Sequence, residues 1–105
     1  MLNRVDVMGR LVRDPEARRT ANGKPVVNFT LAVDRDRQDE TDFIDCVAWN
    51  GTAEFIEKYF RKGSMMAASG RLQMRRWEDK DGNKRTSYEV LCDLVYFGEP
   101  KKDGA

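Results

Sequence analysis

A chain of 105 residues has room for one hydrophobic core and no second domain. With 40% hydrophobic and 35% charged residues it has the composition of a soluble domain with a heavily charged surface, and no apolar run approaches the roughly 20 residues that cross a bilayer. Nineteen basic and eighteen acidic residues leave a formal charge of +1, so affinity for a polyanion would have to come from where the basic residues fall.

The opening Met-Leu-Asn-Arg-Val lacks a signal-peptide layout, which predicts a cytoplasmic protein. Residues 2 to 12 alternate, with Val5, Val7, Gly9 and Leu11 on one face and Arg4, Asp6, Met8 and Arg10 on the other. That period of two predicts a first strand, with Gly9 at a bend or bulge where a barrel turns a corner. Asp14-Pro15 breaks it, and Ala21-Asn22-Gly23-Lys24-Pro25 is a dense turn signal. The intervening stretch, with Arg18, Arg19 and Lys24, is expected to be a loop. A second strand follows from Val26 to Asp34, with Val27, Phe29, Leu31 and Val33 inward and Asn28, Thr30 and Asp34 outward.

Residues 34 to 41 are almost wholly charged and predict an exposed loop. It is either a solvated hairpin tip or a place where Arg35 and Arg37 meet phosphate. The next strand, Asp42 to Trp49, puts Ile44, Cys46 and Ala48 on a core face. Its other face carries Phe43, Asp45, Val47 and Trp49, two large aromatics with an acid between them, which is not the composition of a core face.

Thr52 is placed to cap a short helix through Arg61, with Gly63 ending it in a left-handed turn. Ala53, Ile56 and Phe60 share its packing face, and Phe55, Tyr59 and Phe60 are expected to pack. A long strand from Ser64 to Trp77 alternates Met66, Ala68, Gly70, Leu72 and Met74 with Ser69, Arg71, Gln73, Arg75 and Trp77. Asp79 to Lys84 forms a hairpin loop with an Asp-Gly turn. The last strand, Arg85 to Phe97, turns Tyr88, Val90, Cys92, Leu94 and Tyr96 inward.

Three strands, a helix and two more strands are the layout of an all-β OB-fold, a five-stranded Greek-key barrel with its helix between strands 3 and 4. A β-sandwich is the competing architecture, and the lone central helix and chain length favour the barrel. Catalysis is not expected: histidine is absent, both cysteines fall on inward faces, and no glycine-rich phosphate loop opens a helix. Cys46 and Cys92 are too few and too far apart for a metal site or disulfide framework, and buried reduced thiols are expected, with no cofactor. The remaining constellation is Phe43, Trp49 and Trp77 interleaved with Arg71, Arg75 and Arg76. Stacking aromatics beside a basic track bind single strands. The same aromatics could instead cover a hydrophobic patch or an oligomer contact.

Six blocks, in order, resemble the bacterial and phage single-stranded DNA-binding proteins. They are Met-Leu-Asn-Arg-Val running to Gly9-Arg10-Leu11, Asp14-Pro15-Glu16 with Arg18 and Asn22-Gly23, and Phe29 to Val33. The others are Asp42 to Trp49, Tyr59 to Ser64, and Gly70-Arg71-Leu72 through Trp77 with Asp81-Gly82. The resemblance implies an OB-fold over residues 1–98 that forms a homotetramer and wraps single-stranded DNA without sequence preference, in replication, recombination and repair. It implies stacking by Phe43, Trp49 and Trp77 and phosphate contact by Lys62, Arg75 and Arg76. Arg10, Arg35, Arg37 and Arg71 join them from face and loop position. The family's acidic, Phe-tipped recruitment tail is expected to be absent, leaving a short polar tail over 99–105. The alternative function, from a different class, is an OB-fold protein-interaction subunit of a replication-restart complex.

Overall fold

The computed structural model describes residues 1–37 and 39–99. Six strands and one helix follow the chain as β1 (Val5–Leu11), β2 (Glu16–Arg19), β3 (Pro25–Asp34), β4 (Thr41–Trp49), α1 (Asn50–Tyr59), β5 (Met65–Glu78) and β6 (Lys84–Phe97). Five of them close a ring in the order β1-β5-β6-β4-β3, with β3 returning to β1 through Arg10↔Ala32 and Leu11↔Leu31. This is the expected OB barrel, with its helix between β4 and β5. The polar tail expected over 99–105 lies, beyond Glu99, outside the described residues.

β2 was expected to be loop. Its four residues are all exposed, so they carry no apolar alternation, yet they pair with Pro25 to Asn28 across a tight turn. Thr20 and Lys24 close that turn through a backbone bond of 3.0 Å, with Gly23 at φ 82°. The β-strand therefore comes from turn chemistry and backbone pairing, not from burial.

The helix starts earlier than its sequence suggests. Thr52 does not cap it: the chain passes from Trp49, the last residue of β4, straight into Asn50, which adopts φ 54°. Asparagine tolerates that left-handed conformation better than most residues, so the strand turns into the helix without a spacer. At the other end Phe60 is the cap and Gly63, at φ 88°, lies beyond it. Gly63 instead aims the chain into β5, its N–H donating to Leu11 O at 2.8 Å.

The helix plugs one end of the barrel with Ala53, Ile56 and Phe60, all buried. Burying a large apolar side chain contributes about 1.5–3 kcal/mol, so Ile56 and Phe60 are a substantial part of what holds the helix on. Phe60 stacks on Phe97 of β6 at 5.1 Å, and Phe55 meets the same ring edge-on at 5.5 Å. The barrel core is filled from the predicted inward faces, including Leu11, Val27, Leu31, Met66 and Val90. Cys46 and Cys92 are buried and free. The neighbouring Cys92 thiol, and then burial, push the Cys46 thiol well above its usual range.

Two outward positions are buried after all. Val47 is 4% exposed because Asn28 and Leu91 flank it on both sides, and Thr30 is 8% exposed beneath a network in which it donates to Asp45 Oδ1 at 3.0 Å. The opposite error is larger. Tyr88, Leu94 and Tyr96 were expected inward and are exposed, and so are Leu72 and Met74 on the apolar side of the β5 alternation. β5 and β6 have 14 residues each, and at about 3.4 Å per residue such a strand runs far beyond a small barrel. Their distal halves form a two-stranded arm with both faces open. Leu94 and Tyr96 lie after the register shift at Ser69/Gly70, which turns them to the outside, opposite Ser69 and Ala67.

No helix among the described residues is long and apolar enough to cross a membrane.

Candidate nucleic-acid interface

One outer surface runs from β5 to β3, continuous through the Leu91↔Val47 pairing and parted by a cleft where the arm leaves β4, and strand register defines it. In an antiparallel pair, residues directly opposite share a face. On the arm, Arg71, Gln73, Arg75 and Trp77 face Leu91, Glu89, Ser87 and Arg85. Leu91 then meets Val47 of β4, whose face also carries Phe43, Asp45 and Trp49. The next row, on β3, is Ala32, Thr30, Asn28 and Val26. Phe43, Trp49, Trp77, Arg71 and Arg75 are thus brought to one surface.

The three aromatics are open in different degrees: Phe43 is 67%, Trp49 39% and Trp77 42% exposed. Six residues separate Phe43 from Trp49, about 20 Å along a strand. Each can hold a different base of an extended strand. Trp77 is fixed by a hydrogen bond from its indole Nε1–H to Ser87 Oγ at 2.9 Å. Gln73 donates across the arm to Glu89 at 3.1 Å, stiffening the same ladder.

The basic residues divide. Arg71 and Arg75 are exposed and make no ion pair among the described residues. Arg76 is exposed on the reverse face of the arm, opposite Thr86. Lys62 lies in the turn after α1, where its backbone N–H donates to Asp14 at 2.8 Å. Arg10 lies on the outside of β1 in the row of Ala32 and Phe43 and donates to Gly63 O at 2.9 Å.

Arg35 is engaged within its own loop. It donates to Asp42 at 2.9 Å and pairs with Glu40. Hydrogen bonding from Arg35 holds the Asp42 carboxyl below its ordinary value, and the same bond raises the Arg35 guanidinium. Arg37 is exposed beside it. The loop and the start of β4 thus supply Arg35 with counter-charge.

Sequence reasoning named neither Arg13, Ser87 nor Tyr88 as site residues. Arg13 reaches Thr30 at 3.5 Å, and Ser87 holds Trp77. All three line a cleft of about 180 Å³ between the arm and the barrel, together with Asn28, Asp45, Arg75 and Glu89. Strand length was the signal for Tyr88: a residue on the core face of a strand that outruns its barrel has no core to enter. Among the described residues, no group of three or more His, Cys, Asp or Glu side chains is arranged to hold a metal ion.

The model of the single-strand binding protein family matches residues 2–97. The chain is 45% identical to the single-stranded DNA-binding protein of Bacillus cereus, over 99% of this chain and 64% of that one. It is 45% identical to single-stranded DNA-binding protein A of Bacillus subtilis, over 99% of this chain and 63% of the other. For single-stranded DNA-binding protein 2 of Listeria monocytogenes the identity is 44%, over 98% and 68%. The chain therefore spans somewhat less than two thirds of the length of the two Bacillus relatives.

Proposed function

Because the chain belongs to the single-strand binding protein family, we propose that it binds and protects single-stranded DNA without sequence preference and without catalysis. The cellular setting is replication, recombination and repair in the bacterial cytoplasm. The observation that carries this is the single outer surface that gathers Phe43, Trp49 and Trp77 with Arg71 and Arg75. Every base has a face that stacks on an aromatic ring, and unpaired guanidinium groups attract the backbone between bases, so this combination tolerates any sequence. Arg10, Lys62 and Arg37 extend the track at its margins, and Arg76 adds positive charge from the reverse face of the arm. Arg35 takes part only by exchanging Asp42 and Glu40 for phosphate.

The chain acts as a homotetramer in this proposal. β1 pairs with β5 along Val5 to Arg10, but with β3 only at Arg10 and Leu11, so most of its second edge is open to another copy. Exposed Met8, Leu94 and Tyr96 add an apolar outer patch on the same side of the barrel. An exposed strand edge beside an apolar patch favours self-association.

The names of the relatives favour DNA over the protein-docking alternative. Mutation tests the choice. Trp49→Ala should weaken oligo(dT) binding by about 1–3 kcal/mol; unchanged DNA affinity together with loss of a protein complex would support docking instead.

A further inference from the structure

We infer that Asn50 and Gly51, where β4 turns into α1, form a site of spontaneous deamidation whose product places a negative charge beside Trp49. The site stands on its own geometry; its consequence for DNA rests on the function proposed above.

Of five asparagines in the chain, Asn22 and Asn50 precede glycine. A glycine at the next position has no Cβ to keep its backbone nitrogen from the asparagine side chain, but that nitrogen must also be free of other bonds. Both asparagines are exposed, so exposure does not separate them. The glycine N–H does. Gly23 N–H donates to Thr20 O at 2.8 Å and holds the turn between β2 and β3. Gly82, which follows Asp81, is likewise tied, donating to Asp79 O at 3.1 Å. Gly51 lies in the first turn of α1, where N–H groups have no intrahelical acceptor, and no side chain caps that end. Among the described residues neither the Gly51 N–H nor the Asn50 side chain has a hydrogen-bond partner. Asn50 stands outside helical geometry at φ 54°, and nothing lies within 4 Å of where a Gly51 Cβ would be, so the ring has room to close.

The reaction needs only water. A solvent base takes the Gly51 N–H proton, the nitrogen bonds to the side-chain carbonyl carbon of Asn50, and the bond from that carbon to the amide nitrogen breaks, releasing ammonia. Water then opens the cyclic imide. Opening at the side-chain carbonyl leaves aspartate; opening at the main-chain carbonyl leaves isoaspartate, with the backbone routed through Cβ. An amide and water are consumed, a carboxylate and ammonium are formed, and nothing is oxidised or reduced.

Position decides what the new charge does. Trp49, one of the stacking aromatics, is the preceding residue and the last of β4. A carboxylate next to it repels the phosphates of a strand lying there. The fold tolerates the change: aspartate adopts the left-handed conformation as asparagine does. The first turn of α1 holds no acid, and the helix dipole favours one there. The cost therefore falls on DNA binding and not on stability. Isoaspartate also lengthens the main chain at a junction without a spacer, which shifts Trp49 against α1.

The test incubates the full chain in mildly alkaline buffer, folded and in urea, and follows ammonia release and peptide maps by mass spectrometry. In urea Asn22 and Asn50 should convert at similar rates. In the folded protein Asn50 should convert well ahead of Asn22, and Gly51→Ala should suppress that conversion while keeping or raising the melting midpoint. Asn50→Asp, which reproduces the aspartate product, should bind labelled oligo(dT) about two- to fivefold more weakly at low salt, and the difference should shrink as salt rises. Conversion of Asn22 ahead of Asn50 in the folded protein, or an Asn50 that stays intact while the urea sample converts, overturns the site. Equal affinities of Asn50→Asp and the parent at low salt overturn its consequence for DNA. A parent that does not bind oligo(dT) at all overturns the proposed function instead, and the peptide maps still decide the site.

Discussion

The indole of Trp77 on β5 donates to Ser87 Oγ on β6 at 2.9 Å, diagonally across the arm from the Arg85 that Trp77 directly faces. The bond ties the ring to the neighbouring strand and restricts its rotamers. A stacking surface held in place before binding loses less rotamer freedom when a base arrives.

Truncating that ring should therefore be costly for DNA and harmless for the barrel. Trp77→Ala is expected to weaken oligo(dT) binding by about 1–3 kcal/mol. Trp77→Phe should retain most of the affinity, since it loses the hydrogen bond but keeps a stacking face. Anisotropy of a labelled oligomer measures both, and equal affinities for all three proteins would remove Trp77 from the site.

Arg75 and Arg35 should behave differently although both are exposed arginines. Arg75 makes no ion pair among the described residues, whereas Arg35 is held by Asp42 and Glu40. Arg75→Ala should reduce the slope of log affinity against log salt by about 0.7, the value for one phosphate on a single strand. Arg35→Ala should leave the slope nearly unchanged. A large effect at Arg35 would mean that the loop opens to release it.

Most of the barrel was legible because one face of each strand is buried, and burial writes itself into alternation, as in Val5, Val7 and Leu11 or Val27, Phe29 and Leu31. β2 was illegible for the complementary reason: Glu16 to Arg19 bury nothing. Parity located Phe43, Trp49, Trp77, Arg71 and Arg75 on their common surface. Parity gives the side of a sheet, however, not whether anything covers it. That is why Val47 and Thr30 are buried on an outer face while Leu72, Met74 and Tyr88 are open on an inner one. The partners of Arg35 lie five and seven residues further along the chain, but nothing in a charged run says which charges pair.

Gly70 sits where the arm leaves the barrel, at the register shift with β6. A Cβ there would collide with the Leu91 carbonyl oxygen and lie 2.7 Å from its carbon. Backbone cannot swing aside as a side chain can, so Gly70→Ala should cost about 1–3 kcal/mol or more. At about 4–8 °C per kcal/mol for a domain of this size, a thermal melt resolves it. A midpoint within about 2 °C of the parent would show that the two strands can spread at little cost.

Acid should destabilise the fold only at low pH. Arg35 holds Asp42 below the ordinary value of 3.8, Arg85 and then the Asn83 N–H do the same for Asp79, and Arg4 does it for Asp93. The unfolded chain takes up these protons first, so their stabilisation is complete above about pH 5 and is lost as pH falls below about 4. The Arg35–Asp42 and Arg4–Asp93 pairs are exposed, so salt should blunt their share of the effect, and less so that of Arg85–Asp79, whose carboxylate is largely covered. With no histidine in the chain, the melting midpoint should be flat between about pH 5.5 and 7. A fall within that interval would require a titrating group other than these.

The most direct test is a titration of the protein with oligo(dT), followed by tryptophan emission at two salt concentrations. Stacking on Trp49 and Trp77 predicts quenching that saturates at a fixed number of nucleotides per protein and weakens as salt rises. Unchanged emission at low salt, from protein that remains folded, would contradict the stacking surface and with it the proposed function.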